Sequence, residues 1–155
     1  MNRVYYAPFQ AVAVSVVQDF FEVLAAAGKP VVIHQILLTA ANSETNEQWT
    51  IALKRAAGSY TSGSGGSTIT PVASSSTMGA AATTCERNNT TQAAAGSGTL
   101  TTVWSEGIPS QGGFAWLPTP ETRPVLQGGE ALIVSLVNAP SAATDFNGVI
   151  VFEEL

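Results

Sequence analysis

The sequence predicts an all-β fold: a single antiparallel β-sandwich of the jelly-roll kind, with about eight to ten strands. Three observations lead there. Short apolar runs recur along the chain, bounded by clusters of Gly, Pro, Asn and Ser. No stretch of a dozen residues spaces its apolar side chains at three and four, as an amphipathic helix would. No alternating helices supply the crossovers that a parallel sheet requires.

The elements follow in order. Val4–Phe9 and Ala11–Val17 read as two opening strands, the second with Val12, Val14 and Val16 alternating with Ala13 and Ser15. Asp19–Ala25 reads as a strand, although Phe20 to Ala27 is also long enough for two helical turns. Pro30–Ala40 comes next, then Glu47–Arg55, where Trp49, Ile51 and Leu53 share one face and Thr50, Ala52 and Lys54 the other. Thr68–Val72, Thr99–Trp104 and Phe114–Leu117 are shorter. A turn is expected over Ser105–Pro109, and Trp104 before it, like Trp49, is expected in the core.

Two closing runs, Ala131–Asn138 and Gly148–Glu154, are apolar on both faces. Leu132, Val134 and Leu136 oppose Ile133 and Val137, while Ile150 and Phe152 oppose Val149 and Val151. A sheet with one wet side would show polar residues at every second position. Something must therefore cover the second face, either a further layer of this chain or another subunit. Glu153 and Glu154 read as charges that keep the last strand soluble and discourage edge pairing.

The middle of the chain is different. Residues 58–98 are dominated by Gly, Ser, Thr and Ala, and a segment of about 40 residues so poor in large apolar groups cannot build a core of its own. Long loops at one end of the sheet stack, interrupted by short strands such as Thr68–Val72 and Thr83–Arg87, are expected here within one domain spanning 1–155.

Composition sets bounds on function. Charged residues make up 11% of the chain, against roughly 25% in a typical soluble domain. Mean hydropathy is +0.21, yet no apolar run approaches the ~20 residues that span a bilayer. Scarce charge fits a subunit packed against neighbours, and equally a small β-protein with a neutral Ser/Thr/Gly surface. The net charge is -5, and the six Lys and Arg are scattered, so no basic stripe exists for phosphates and direct nucleic-acid binding is not expected. The one cysteine, Cys85, reads as a passive thiol, and the start Met1-Asn-Arg-Val-Tyr-Tyr lacks the apolar run of a secretory leader.

No cluster points to chemistry. The one histidine, His34, cannot by itself form a metal centre or a Ser-His or Cys-His pair with any obvious partner. The glycines at 63–66 precede no Lys-Ser or Lys-Thr, so they form no phosphate loop. No catalytic residue, metal or cofactor is assigned, and a cupin-type enzyme is disfavoured. The aromatics are more suggestive. Tyr5, Tyr6 and Phe9 form either an arm lying on a partner or simply the first strand. Phe114 and Trp116, framed by Gly112-Gly113 and Pro118-Thr-Pro120, suit a sandwich edge or an interface. With Val149 and Val151 these seven are the candidate subunit or capsid interface residues.

Lys29-Pro-Val-Val-Ile-His-Gln-Ile-Leu-Leu-Thr39, the loop Thr61-Ser-Gly-Ser-Gly-Gly-Ser-Thr-Ile-Thr-Pro71 and the closing Gly129–Leu136 and Gly148–Glu154 together resemble the head decoration (cement) proteins of tailed bacteriophages, of the jelly-roll or tumour-necrosis-factor-like type. The resemblance spans most of the chain. It implies a homotrimer on the outer capsid surface, made in the host cytoplasm, that bridges major capsid subunits and stabilises the shell, without catalytic residues. It would also explain closing strands that are apolar on both sides, since they would face the threefold axis. The alternative is a tail-fibre, spike or baseplate head domain binding a host saccharide or receptor, with Phe114 and Trp116 supplying stacking contacts.

Overall fold

Antiparallel pairing organises the whole chain. The computed structural model describes residues 3–43 and 46–155; Met1 and Asn2, where the leader reading begins, lie outside them. Among the described residues there are twelve strands and one 3-10 turn, at Pro120–Thr122. The strands are β1 (Arg3–Val14), β2 (Asp19–Leu24), β3 (Val31–Ala41), β4 (Gln48–Ala57), β5 (Ser67–Ile69) and β6 (Val72–Ala73). They continue as β7 (Thr84–Asn89), β8 (Thr99–Pro109), β9 (Gly113–Trp116), β10 (Val125–Leu126), β11 (Ala131–Leu136) and β12 (Thr144–Glu154).

They form two sheets. Sheet A runs β10-β3-β12-β1-β6, with β9 also on β3, and sheet B runs β5-β7-β2-β11-β4-β8. The long strands pair in nested fashion: β1 with β12, β2 with β11, β3 with β9 and β10, β4 with β8. A chain paired this way is one long hairpin wound back on itself, which is the jelly-roll arrangement of a sandwich. Apolar residues from both inner faces meet between the sheets. Tyr5 stacks on Phe152 at 5.6 Å, and Phe146 sits between Phe20 (4.8 Å) and Trp49 (5.0 Å). Gly148 leaves the space that the rings of this layer need, since a Cβ there would lie 2.7 Å from the Phe9 ring.

Among the described residues strand parity breaks in four places, each at a bulge, where one extra residue flips which side chains face inward. In β1 the break falls between Phe9 and Val12, so the two opening runs are one strand and Val16 lies beyond it, exposed. In β2 it lets the consecutive Phe20 and Phe21 both enter the core. In β3 it puts His34 and Gln35 together on the outer side between buried Ile33 and Ile36. In β8 it falls at Val103, and the strand then continues through Ser105 and Gly107 to Pro109, where a turn was expected.

The middle segment does not sit at one end of the stack. It leaves β4, crosses the outer face of sheet B, and adds β5 beside β7. At Thr70-Pro71 it passes to sheet A, where β6 pairs with β1; it then returns through β7, which pairs with β2. Pro71, lacking an N–H, marks the change of sheet. One edge of the sandwich is thereby bridged by the chain itself. At the opposite edge the chain passes from β8 of sheet B to β9 of sheet A through the tight turn Ser110-Gln111-Gly112.

Ala11, in the β1 bulge, has φ 52 while its N–H donates to Asn147 Oδ1 at 2.9 Å. A left-handed alanine is strained by its Cβ, so Ala11→Gly should stabilise the protein by about 0.5–1 kcal/mol after glycine's extra unfolded-state entropy is subtracted. A higher denaturant midpoint at unchanged slope is the expected reading, and Ala11→Val should move it the other way.

Candidate functional site

Over β2 and β11 the outer face of sheet B is covered from within the chain, while β8 at its edge stays exposed. Asp19 and Glu22 point outward from β2 and are both buried. Asp19 accepts from the Ser135 hydroxyl (2.6 Å) and the Ala93 amide (2.7 Å); Glu22 accepts from the Tyr60 hydroxyl (2.8 Å) and the Gly63 amide (3.0 Å). These donors lie in or beneath the returning middle segment, whose Thr61 and Ser64 bridge to Ala94 and Thr91. Under that ribbon Ala56, Ala93, Ala131 and Ile133 form a second small apolar cluster. Burial pushes the Asp19 carboxyl above its ordinary range, against the opposing pull of Ser135, Ala93 and Lys54. The Tyr60 phenol is pushed up by burial and by Glu22.

The outer face of sheet A carries no such cover among the described residues. Register aligns Val72, Tyr6, Val151 and Gln35 in one row, and Pro8, Val149, Leu37 and Ala115 in the next. Tyr6 is 42% exposed and Val72 58%, while Val149, Val151 and Leu37 are half-buried. On the same face His34 Nε2 meets Glu153 Oε2 at 2.9 Å.

A second opening lies at the β8–β9 edge. Trp104 pairs with Leu53 and Glu106 with Ile51, both core residues, so these two side chains face between the sheets. Sheet A ends at β9, however, and Trp104 stays 48% exposed, its indole Nε1 donating to Glu106 Oε2 at 3.4 Å. Across the gap stands Trp116, 8% exposed, with Leu117, Pro118, Thr119, Thr122 and Pro124 beyond it. Together they line a cleft of about 480 Å³.

The candidate interface residues fall in three places. Tyr5, Phe9 and Phe114 belong to the subunit's own core and leave almost no surface for a partner. Tyr6, Val149 and Val151 share the open face of sheet A, and Trp116 lines the edge cleft. The expectation for Trp104 is overturned: it is half-exposed because the opposite sheet stops short of it. That role depends on where a sheet in another part of the sequence ends, so no local signal marks it. Glu153 and Glu154 also differ from expectation. β12 lies in the middle of sheet A, and both carboxylates are buried. Glu154 Oε1 accepts the Ala82 and Thr83 amides, each at 2.7 Å, and so pins the returning segment.

Cys85 is buried in the core and its thiol is pushed up to about 12, chiefly by burial and further by Glu154, so it is a poor nucleophile near neutral pH. Among the described residues no three His, Cys, Asp or Glu side chains are grouped to hold a metal ion, and no helix is long and apolar enough to cross a membrane. Comparisons with protein-family models, curated proteins and solved structures give no match.

Removing an acceptor under the ribbon should release the ribbon before the sandwich. Asp19→Ala leaves the buried Ala93 amide without a partner and should cost about 3 kcal/mol. Hydrogen exchange should accelerate first in 59–66 and 90–97, while β3 and β12 stay protected. Glu154 offers a pH test. Burial raises its pKa, but the Ala82 and Thr83 amides and Arg3 outweigh that and hold it below 4.5. The folded state then binds its proton less readily than the unfolded chain, so the stability it contributes is present above pH 4.5 and lost as pH falls through the folded value. The stability deficit of Glu154→Gln should therefore be largest near pH 7 and shrink below about pH 4.5 in denaturation curves taken across that range.

Proposed function

We propose that the protein is a structural virion subunit: a capsid decoration (cement) protein that assembles as a homotrimer, binds the major capsid protein on the outside of a phage head and stabilises the shell. The observation that carries this reading is the apolar outer face of sheet A, left half-open while the chain covers β2 and β11 on the corresponding face of sheet B with its own middle segment. A contiguous apolar patch of this kind on a domain with 11% charged residues is suited to contact with other protein. The jelly-roll strand order agrees with the resemblance in the sequence. Binding free energy available only on the expanded shell would stabilise that state by linkage.

Val149 and Ile150 separate folding from assembly. Ile150 is fully buried in the core, and Ile150→Lys should unfold the subunit, since an unpaired buried charge costs a large part of a stability of about 5–15 kcal/mol. Val149→Lys should leave the circular dichroism spectrum close to wild type and lower the melting midpoint only by what trimer association contributes, while sedimentation equilibrium shifts from trimer to monomer. Wild-type protein should bind expanded heads in preference to precursor shells. A wild-type monomer at micromolar concentration, or equal binding to both shells, would overturn the proposal.

A further inference from the structure

We propose that the β8–β9 edge cleft is a binding site for a neutral saccharide of one or two rings. The proposal is independent of the assembly reading, which uses the outer face of sheet A rather than this edge. The cleft's volume, about 480 Å³, lies within the roughly 300–1,000 Å³ usual for small-ligand sites. Its walls combine two indoles with a few polar groups, the Glu106 carboxylate and the Thr119 and Thr122 hydroxyls.

Each part suits a pyranose. The half-exposed Trp104 ring has its indole N–H directed to Glu106, which orients the ring. The face of an indole is electron-rich, and the axial C–H groups on one side of a sugar ring are weakly positive, so the two stack. The remaining lone pairs of Glu106 can accept sugar hydroxyls. Thr119 and Thr122 have hydroxyl oxygens 3.3 Å apart, and Thr122 donates to the Thr119 carbonyl at 3.2 Å, so their free lone pairs can accept sugar hydroxyls. No Lys or Arg lines the cleft, although Arg123 flanks it, and Glu106 stands in its wall. That charge pattern disfavours sialylated or sulfated sugars.

The other occupant to consider is an extended peptide added to β8. Two features of β8 oppose it. The bulge at Val103 breaks the row of free backbone groups beside the cleft, and Glu106 is an inward-pointing charge on an edge strand. Both are recognised means of preventing strand addition. Neither obstructs a ring lying on Trp104.

Saturation-transfer NMR and tryptophan fluorescence with lactose, cellobiose, maltose and N-acetylglucosamine test the proposal, with sialyllactose and an alternating Thr-Val peptide as controls. At least one neutral sugar should bind with a Kd on the order of 1 mM. Trp104→Ala should weaken it by about tenfold or more, Trp104→Phe should retain part of the affinity, and Glu106→Gln should weaken it several-fold, with thermal midpoints verifying that each variant is folded. Should Trp104→Ala fail to fold, wild type and Trp104→Phe still decide the question. The proposal is overturned if none of the neutral sugars shows transfer, if Trp104→Ala or Glu106→Gln binds as wild type, if sialyllactose binds more tightly, or if the peptide binds and sugars do not displace it.

Discussion

The buried pair Asp19 and Glu22 governs the arrangement of the rest. The middle segment is too poor in large apolar side chains to hold itself together, so its position depends on polar contacts with the sheet beneath. Two carboxylates facing outward from β2 provide them by accepting the Ala93 and Gly63 amides and the Tyr60 hydroxyl. Buried carboxylates are costly unless well hydrogen-bonded, and charge-assisted bonds to amides and hydroxyls are among the stronger available. Once those bonds form, Ile133 and Ala131 lose their access to water and the outer side of β2 and β11 is covered.

That covering makes the sandwich asymmetric. One edge is bridged where the chain passes from β5 to β6, and Glu154 and the Arg3 guanidinium fasten the return by bonds to Ala82, Thr83 and Ala80. Exposed apolar surface lies on the outer face of sheet A and in the mouth between β8 and β9, and also at Val16, Val17 and Val137 beside the ends of β2 and β11. The first is broad and suits another protein. The second is narrow, aromatic and guarded against strand pairing. A single fold can serve both contacts because they occupy different sides of it.

Much of the fold was legible in the chain because strand signals are local. All eleven runs read from the sequence, Thr83–Arg87 included, lie in or against strands, with the two opening runs joined by the bulge at Ala11 and Thr68–Val72 divided at Pro71. β10, two residues long, carries no pattern to detect. The interface residues were legible only in part. Tyr6 and Phe9 look alike in sequence, yet their parity places one outside and the other in the core. His34 and Gln35 share a face only because of a bulge, and alternation cannot reveal an inserted residue.

By itself the sequence determined an all-β sandwich, the approximate position of its strands, the burial of Trp49, and that both faces of Ala131–Leu136 would be covered. Periodicity and turn chemistry act within a few residues, and those features follow from them. Only the tertiary structure decided what does the covering. β11 is covered by a ribbon more than thirty residues away in the chain, whereas the outer side of β12 stays half-open. It also decided that Trp104 lines a cleft, because its exposure depends on where the opposite sheet ends. Coverage and exposure are relations between distant segments, fixed when the sheets stack and the middle segment docks.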